Sequence, residues 1–290
     1  MSLAPALDAE RFELGGITGY VAGAGAPLLL VHSVNAAASA AEIRPLFDRY
    51  RATRTVFAPD LPGFGLSERA DIAYTPRLMT DALHCVTDHV RTRCGEAPVD
   101  ALAASLGCEF LARAAVERPA HFGRLALVSP TGMAGRKPRL GPPGSTRFMP
   151  TMHAVLSRPL WADALFRGLT RPGVVRYFLE RTWGGKAIDE ALWAYDVATA
   201  RVPGARFAPL HFLAGHMFSA DITRVYDELS QPVWMSHGVR GDFTDYRGQA
   251  RYEGRPNWRF SVFQTGAMPY FEVPDAFFAA FDDFLAAPSG

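Results

Sequence analysis

A chain of 290 residues, 49% hydrophobic and 20% charged, is long enough to bury a sizeable core and has an ordinary globular composition. Its formal charge of +1 gives no reason to expect nucleic acid or an acidic membrane surface as a partner. No apolar run approaches the ~18 residues of a membrane span, and the opening MSLAPALDAERFEL has early acids and no long apolar region, unlike a signal peptide. Three cysteines, Cys85, Cys94 and Cys108, cannot pair completely and lack metal-ligand spacing, so a reducing, cytoplasmic setting is expected. Cys108 is expected to be a buried helix-packing thiol.

ITGYVAG and PLLLVHSV read as the first strands, the second a continuous apolar run suited to burial on both faces. AAEIRPLFDRYR, from Ala40, has helical spacing, with Pro45 placed near the first turn. TVFAPDLPGFG is a strand entering a Pro/Gly turn. TPRLMTDALHCVTDHVRTRC is a helix with Thr75 as N-cap and Pro76 at its first position. VDALAASL, GCEFLARAAVER and RLALVSPTG then read strand, helix, strand. This alternation predicts a parallel sheet wrapped by helices.

After Gly132 the pattern changes to a Pro/Gly/basic linker and then helical stretches from about Ser145 to Tyr226. QPVWMSHG and WRFSVFQTG restore strands, and PDAFFAAFDDFLAA closes with a helix. The division expected is a core of residues 1–133 and 225–290 and a helical insertion of 134–224.

Three segments carry chemistry. In VDALAASLGCEF the serine stands between a strand and a helix, with small residues Ala103 and Gly107 two positions either side. Small-x-serine-x-small lets strand and helix approach closely while a sharp turn projects the hydroxyl. APDLPGFGLSER is a second such segment, and PVWMSHGVRGD, with Gly238-Val239-Arg240-Gly241-Asp242, a third. Together they resemble the cap-bearing α/β-hydrolases over almost the whole chain. The resemblance implies an α/β-hydrolase fold, mostly parallel, with the helical insertion as a cap over a pocket. It does not fix the reaction.

Carried onto these positions, the resemblance implies Ser105 as nucleophile and Asp242 as acid, with Asp245 as the second choice. The Val34 and Leu106 N–H groups would form an oxyanion hole. Ser33 stands where the family carries glycine, and Ala103 is a further departure. His32 would brace its loop. The family's histidine segment, G-H-x-P-x-x-E-x-P-x-x-F, aligns with Gly266, Pro269, Glu272, Pro274 and Phe277 and places Ala267 at the histidine. Serine is a poor nucleophile unless a neighbour takes its proton.

Three readings follow: another base acts, the protein binds without turnover, or an active enzyme carries an engineered His-to-Ala change. Ala103 and Ser33 favour natural divergence. As substitute bases, His237 and the insertion's His153, His211 and His216 read as structural. Tyr270, with a reference pKa near ~10, is a weak base at neutral pH. The insertion's aromatic and methionine residues, such as Phe148, Met152, Trp161, Tyr177, Phe178 and Trp183, point to a small apolar or aromatic ligand. No phosphate loop or metal cluster is visible, so no cofactor is expected.

Overall fold

The computed structural model describes residues 3–135, 137–242 and 245–287. Its eight strands are β1 (Glu10–Leu14), β2 (Ile17–Ala22), β3 (Pro27–Val31), β4 (Thr55–Pro59), β5 (Val99–Ala104), β6 (Phe122–Val128), β7 (Val233–Gly238) and β8 (Trp258–Phe263). They form one sheet in the order β1-β2-β4-β3-β5-β6-β7-β8, parallel from β4 to β8. β2 pairs antiparallel with β1 and β4. β1 was not foreseen. Its ERFEL buries only Phe12, as expected of an edge strand with little apolar signal.

Alternation along the inner strands sends side chains to two cores. Leu29, Val31, Ala101, Ala103, Leu125, Leu127 and Met235 join one core. There they meet Leu83, Val86 and Phe110 of helices α2 (Pro76–Cys94) and α3 (Gly107–Glu117). Leu28, Leu30, Leu102, Ala126, Val128 and Trp234 join the other. That core is closed by Phe47 of α1 (Arg44–Tyr50) and by Phe277 and Phe281 of the last helix, Pro274–Ala286. As the sequence suggested, Thr75 caps α2, accepting the Leu78 N–H at 3.2 Å, and Pro76 opens it. Pro45 sits in the first turn of α1. This mostly parallel sheet flanked by helices is the α/β-hydrolase fold.

Between β6 and β7 the chain forms helices and one isolated bridge, Thr146 to Ser219. The helices are α4 (Pro150–Leu156), α5 (Ala162–Leu169), α6 (Pro172–Trp183), α7 (Glu190–Thr199), α8 (Phe207–Leu213) and α9 (Ile222–Asp227). Both roots of this insertion are tied to α3. Glu109, fully buried, accepts from Thr131 Oγ1 at 2.6 Å at one root and from the Ser219 N–H at 2.8 Å at the other. One turn on, Arg113 donates to Asp221 at 2.6 Å. Among the described residues no helix is long and apolar enough to cross a membrane.

The DLPGFGLS segment is explained by its own hydrogen bonds. Buried Asp60 accepts the Ala40 and Leu66 N–H groups, both at 2.8 Å. Gly65 lies at φ +49°, where a Cβ would fall 2.0 Å from the Asp60 carboxyl carbon. Ser67 Oγ donates to the Asp60 carbonyl at 2.5 Å and accepts the Thr18 N–H at 2.9 Å. The segment thus knots the loop after β4 to β2.

Candidate functional site

Because β3 to β8 run parallel, the loops following β3, β5, β6, β7 and β8 gather at one edge of the sheet, the usual place for a site in such folds. Ser105 occupies the turn from β5 to α3 at φ 51°, in the left-handed region that a non-glycine residue rarely adopts. Its N–H donates to the Val128 carbonyl at 2.8 Å, and its carbonyl accepts the Cys108 N–H at 3.2 Å. Gly107 is required by proximity: a Cβ there would lie 2.5 Å from the His32 carbonyl oxygen. Cys108 is buried, points its thiol at the Ala103 carbonyl 3.1 Å away and is pushed up in pKa by burial.

The loop after β3 is held from two sides. His32 is buried; its Nδ1 lies 2.6 Å from the Ser33 carbonyl, and its Nε2 accepts the Leu61 N–H at 2.9 Å. This ring is neutral, and burial lowers its pKa to about 4. Glu42, missed by the sequence reading, accepts the Ser33 N–H at 2.8 Å and Asn35 Nδ2 at 2.6 Å. Its signal was a lone acid in the apolar stretch AAEI. Burial raises its pKa. With Ser33 so engaged, the next N–H, that of Val34, has no acceptor among the described residues, and neither has that of Leu106. Both residues are buried. Buried N–H groups are rarely left unpaired unless a ligand or water completes them.

The acid and histidine positions are arranged otherwise. Asp242 is exposed and forms a two-pronged ion pair with Arg181 on α6, through Nε and through Nη2 at 2.6 Å. Its N–H donates to the Arg181 carbonyl at 3.2 Å. Asp245 pairs with Arg247 at 2.7 Å and accepts the Gly135 N–H at 2.9 Å, and the arginine holds its carboxyl well below the usual range. The Ala267 N–H donates to the Thr182 carbonyl at 2.9 Å, and its own carbonyl accepts Ser129 Oγ at 2.8 Å. Ser129, just after β6, lies at φ 50°, the second strained non-glycine residue at this edge. Tyr270 is buried with its hydroxyl unpartnered, and burial pushes its pKa well up.

No imidazole hydrogen-bonds Ser105 Oγ among the described residues, which include all eight histidines. His237 Nδ1 lies 2.9 Å from the Gly238 carbonyl, and its Nε2 3.2 Å from Gln249 Oε1. His211 meets His216 at 2.9 Å and packs against the tilted ring of His153. His84 pairs with Glu117, His121 with Asp88, and His89 packs on Phe12. Two surface grooves, of about 280 and about 250 Å³, are lined by neither Ser105, Val34 nor Ala267. The insertion's apolar residues do not all face inward: Trp183 is buried, while Met152, Trp161, Tyr177 and Phe178 are exposed.

The profile of the alpha/beta hydrolase family matches residues 28–280. The chain belongs to that family. A comparison with curated proteins finds no match. Among solved structures this alpha/beta hydrolase is similar to an esterase (EaEST) from Exiguobacterium antarcticum, at 16% identity and TM-score 0.72, covering 97% of this chain and 100% of that one. It is similar to the epoxide hydrolase CorEH, at 20% identity and TM-score 0.72, covering 96% and 98%. It is also similar to 2-hydroxy-6-oxo-6-phenylhexa-2,4-dienoate hydrolase (BphD) from Rhodococcus sp. strain RHA1, at 19% identity and TM-score 0.72, covering 96% and 98%. At such identities the likeness establishes the fold, which these different hydrolases share.

Proposed function

We propose that this alpha/beta hydrolase is a serine-hydrolase-like protein with a degenerate triad. Ser105 stands at the nucleophile position, Ala267 at the histidine position, and the helical insertion acts as a cap over a small apolar, carbonyl-bearing ligand. The carrying observation is a contrast. The Val34 and Leu106 N–H groups belong to buried residues and have no acceptor among the described residues, as a pair of oxyanion donors would, yet no histidine reaches the Ser105 hydroxyl.

Such a site binds an ester or ketone oxygen without efficient attack on the carbonyl. Loss of the histidine from a serine triad costs on the order of 10⁶ in turnover, while binding and the oxyanion donors alone retain a residual of about 10³–10⁴ over water. The substitute bases do not answer the need. His32 has both ring nitrogens engaged, and Tyr270 is buried with a raised pKa. Asp242, the acid of this proposal, is engaged by Arg181. The protein is therefore a slow carboxylic-ester hydrolase at most, and its principal act is to hold its ligand.

The test pairs two measurements on the purified protein: hydrolysis of p-nitrophenyl esters of varied acyl chain, and labelling by a fluorophosphonate. Turnover near the uncatalysed rate with slow labelling that Ser105→Ala abolishes is expected. Turnover in the ordinary range of esterases would mean that a base acts on Ser105 after all and would sink the proposal.

A further inference from the structure

We propose that the α4 edge of the insertion is a docking surface for an anionic lipid bilayer. Helix α4 has no buried residue at all. Met152 and Val155, three apart and so on one face, are 38% and 55% exposed, and Met149 before the helix is 47% exposed. The following turn brings up Leu160, 87% exposed, and Trp161, whose indole N–H donates to the Val155 carbonyl at 2.9 Å. Met149 N–H bonds the Ala214 carbonyl at 2.9 Å, which seats exposed Leu213 beside them. Six large exposed apolar side chains thus stand on α4, its flanking turns and the adjoining end of α8. Isolated exposed apolar residues are ordinary, but such a concentration along one edge marks an interaction surface.

Charge decides the occupant. Between residues 141 and 171 stand Arg147, Arg158, Arg167 and Arg171 and one acid, Asp163, which is paired with Arg206. None of those four arginines has a carboxylate partner among the described residues, whereas Arg77, Arg118 and Arg251 elsewhere on the surface do. The Arg158 guanidinium lies 5.8 Å from the Trp161 ring centre. A net positive, apolar edge with tryptophan at its margin has the composition of an interfacial element: apolar groups enter the acyl boundary while arginines reach phosphates. A second copy fits less well, since a two-fold contact sets the same patch against itself and would oppose arginine to arginine. The whole-chain charge of +1 conceals this local excess.

The experiment is co-sedimentation of the full chain with phosphatidylcholine vesicles, with and without phosphatidylglycerol. Binding is expected to the anionic vesicles, to fall in high salt, and to weaken at least about tenfold in Leu160→Asp. Position 160 is so exposed that the variant keeps its fold, which circular dichroism checks. Absence of binding to anionic vesicles overturns the proposal, and so does binding that Leu160→Asp leaves unchanged. A wild-type dimer that the same substitution dissociates would instead assign the patch to a second copy and also overturn it.

Discussion

The Thr182 carbonyl, in the last turn of α6, accepts the Ala267 N–H at 2.9 Å, so the insertion is latched to the backbone of the loop after β8. The latch has two further teeth. Arg181 grips Asp242, and Gly184 meets the loop after β7 so closely that a Cβ would lie 2.4 Å from the Gly241 nitrogen. Gly266 is just as constrained, with a Cβ position 2.3 Å from the Thr182 oxygen. Glu272 completes the knot, accepting the Gly266 N–H at 2.6 Å while pairing with Arg240.

On the proposed site, this latch sets what a histidine placed at position 267 would achieve. Ala267→His supplies an imidazole, but Asp242 remains engaged by Arg181 and cannot orient it. The single variant is expected to stay near the parent rate with p-nitrophenyl acetate. Adding Arg181→Ala frees the carboxylate, and the double variant is expected to gain about 10²-fold or more, the range of general-base assistance. Full gain in the single variant would show that Arg181 imposes no restraint. No gain in the double variant would remove position 267 from the site.

A second expectation concerns the Ser105 turn. Gly107→Ala places a methyl 2.5 Å from the His32 oxygen, a backbone atom that cannot swing aside. The loss should be about 1–3 kcal/mol, as for other overpacking, read as a lower urea midpoint. Gly168→Ala, in α5 with no neighbour near its Cβ and no positive φ, is the control. It should instead stabilise by about 0.5–1 kcal/mol.

The fold was legible because buried parallel strands write themselves as apolar runs, PLLLV and RLALV above all, and because Thr75-Pro76 and Ala103-x-Ser105-x-Gly107 mark the ends of helices and strands. What stayed hidden depends on long-range contact. Glu42 and Glu109 look like surface acids until the fold buries them against Ser33, Thr131 and Ser219. Asp242 was readable as a loop acid, but its partner Arg181 lies 61 residues away on another element. The apolar residues of the insertion looked alike in sequence. Only packing separates Trp183, buried beside Phe271, from Trp161 on the surface.

Glu109 offers a test of how the insertion is held. Glu109→Ala strands the buried Ser219 N–H, at a cost of about 1–3 kcal/mol, and frees the half-buried Thr131 hydroxyl. Stability should drop by that order, with amide exchange quickening in α9 and around residues 131 and 219 ahead of the central strands. Glu109→Gln keeps one acceptor oxygen for the Ser219 N–H and turns its NH₂ toward the Thr131 hydroxyl, which can accept in place of donating, so it should lose less. Equal loss in both variants would assign the effect to charge, through Arg139 at 3.4 Å, in place of the two roots.

Two buried groups of opposite sign act in the acid response, alongside Glu42, Glu109 and Asp196, which burial shifts upward, and His211, which it shifts downward. His32 is neutral in the fold, with a pKa lowered to about 4 from an ordinary 6.5. Between those values the unfolded chain binds a proton that the folded chain refuses, so the stability His32 contributes above pH ~6.5 is lost as pH falls toward ~4. Asp60 runs the other way. Burial raises its carboxyl from 3.8 to about 6, against the pull of the Leu66 and Ala40 N–H groups. Its contribution is fully present below pH ~3.8 and is lost as pH rises through ~6. Over their shared window the contributions of these two groups largely offset. Asp60→Asn lowers stability overall, because its amide NH₂ must face one of the N–H groups that the carboxylate accepts. More tellingly, it removes the opposing proton uptake, so the loss from pH ~6 to pH ~4 should become steeper than in the wild type. Urea midpoints across that range decide the matter: parallel profiles for the two proteins would show that Asp60 does not take up a proton in the fold.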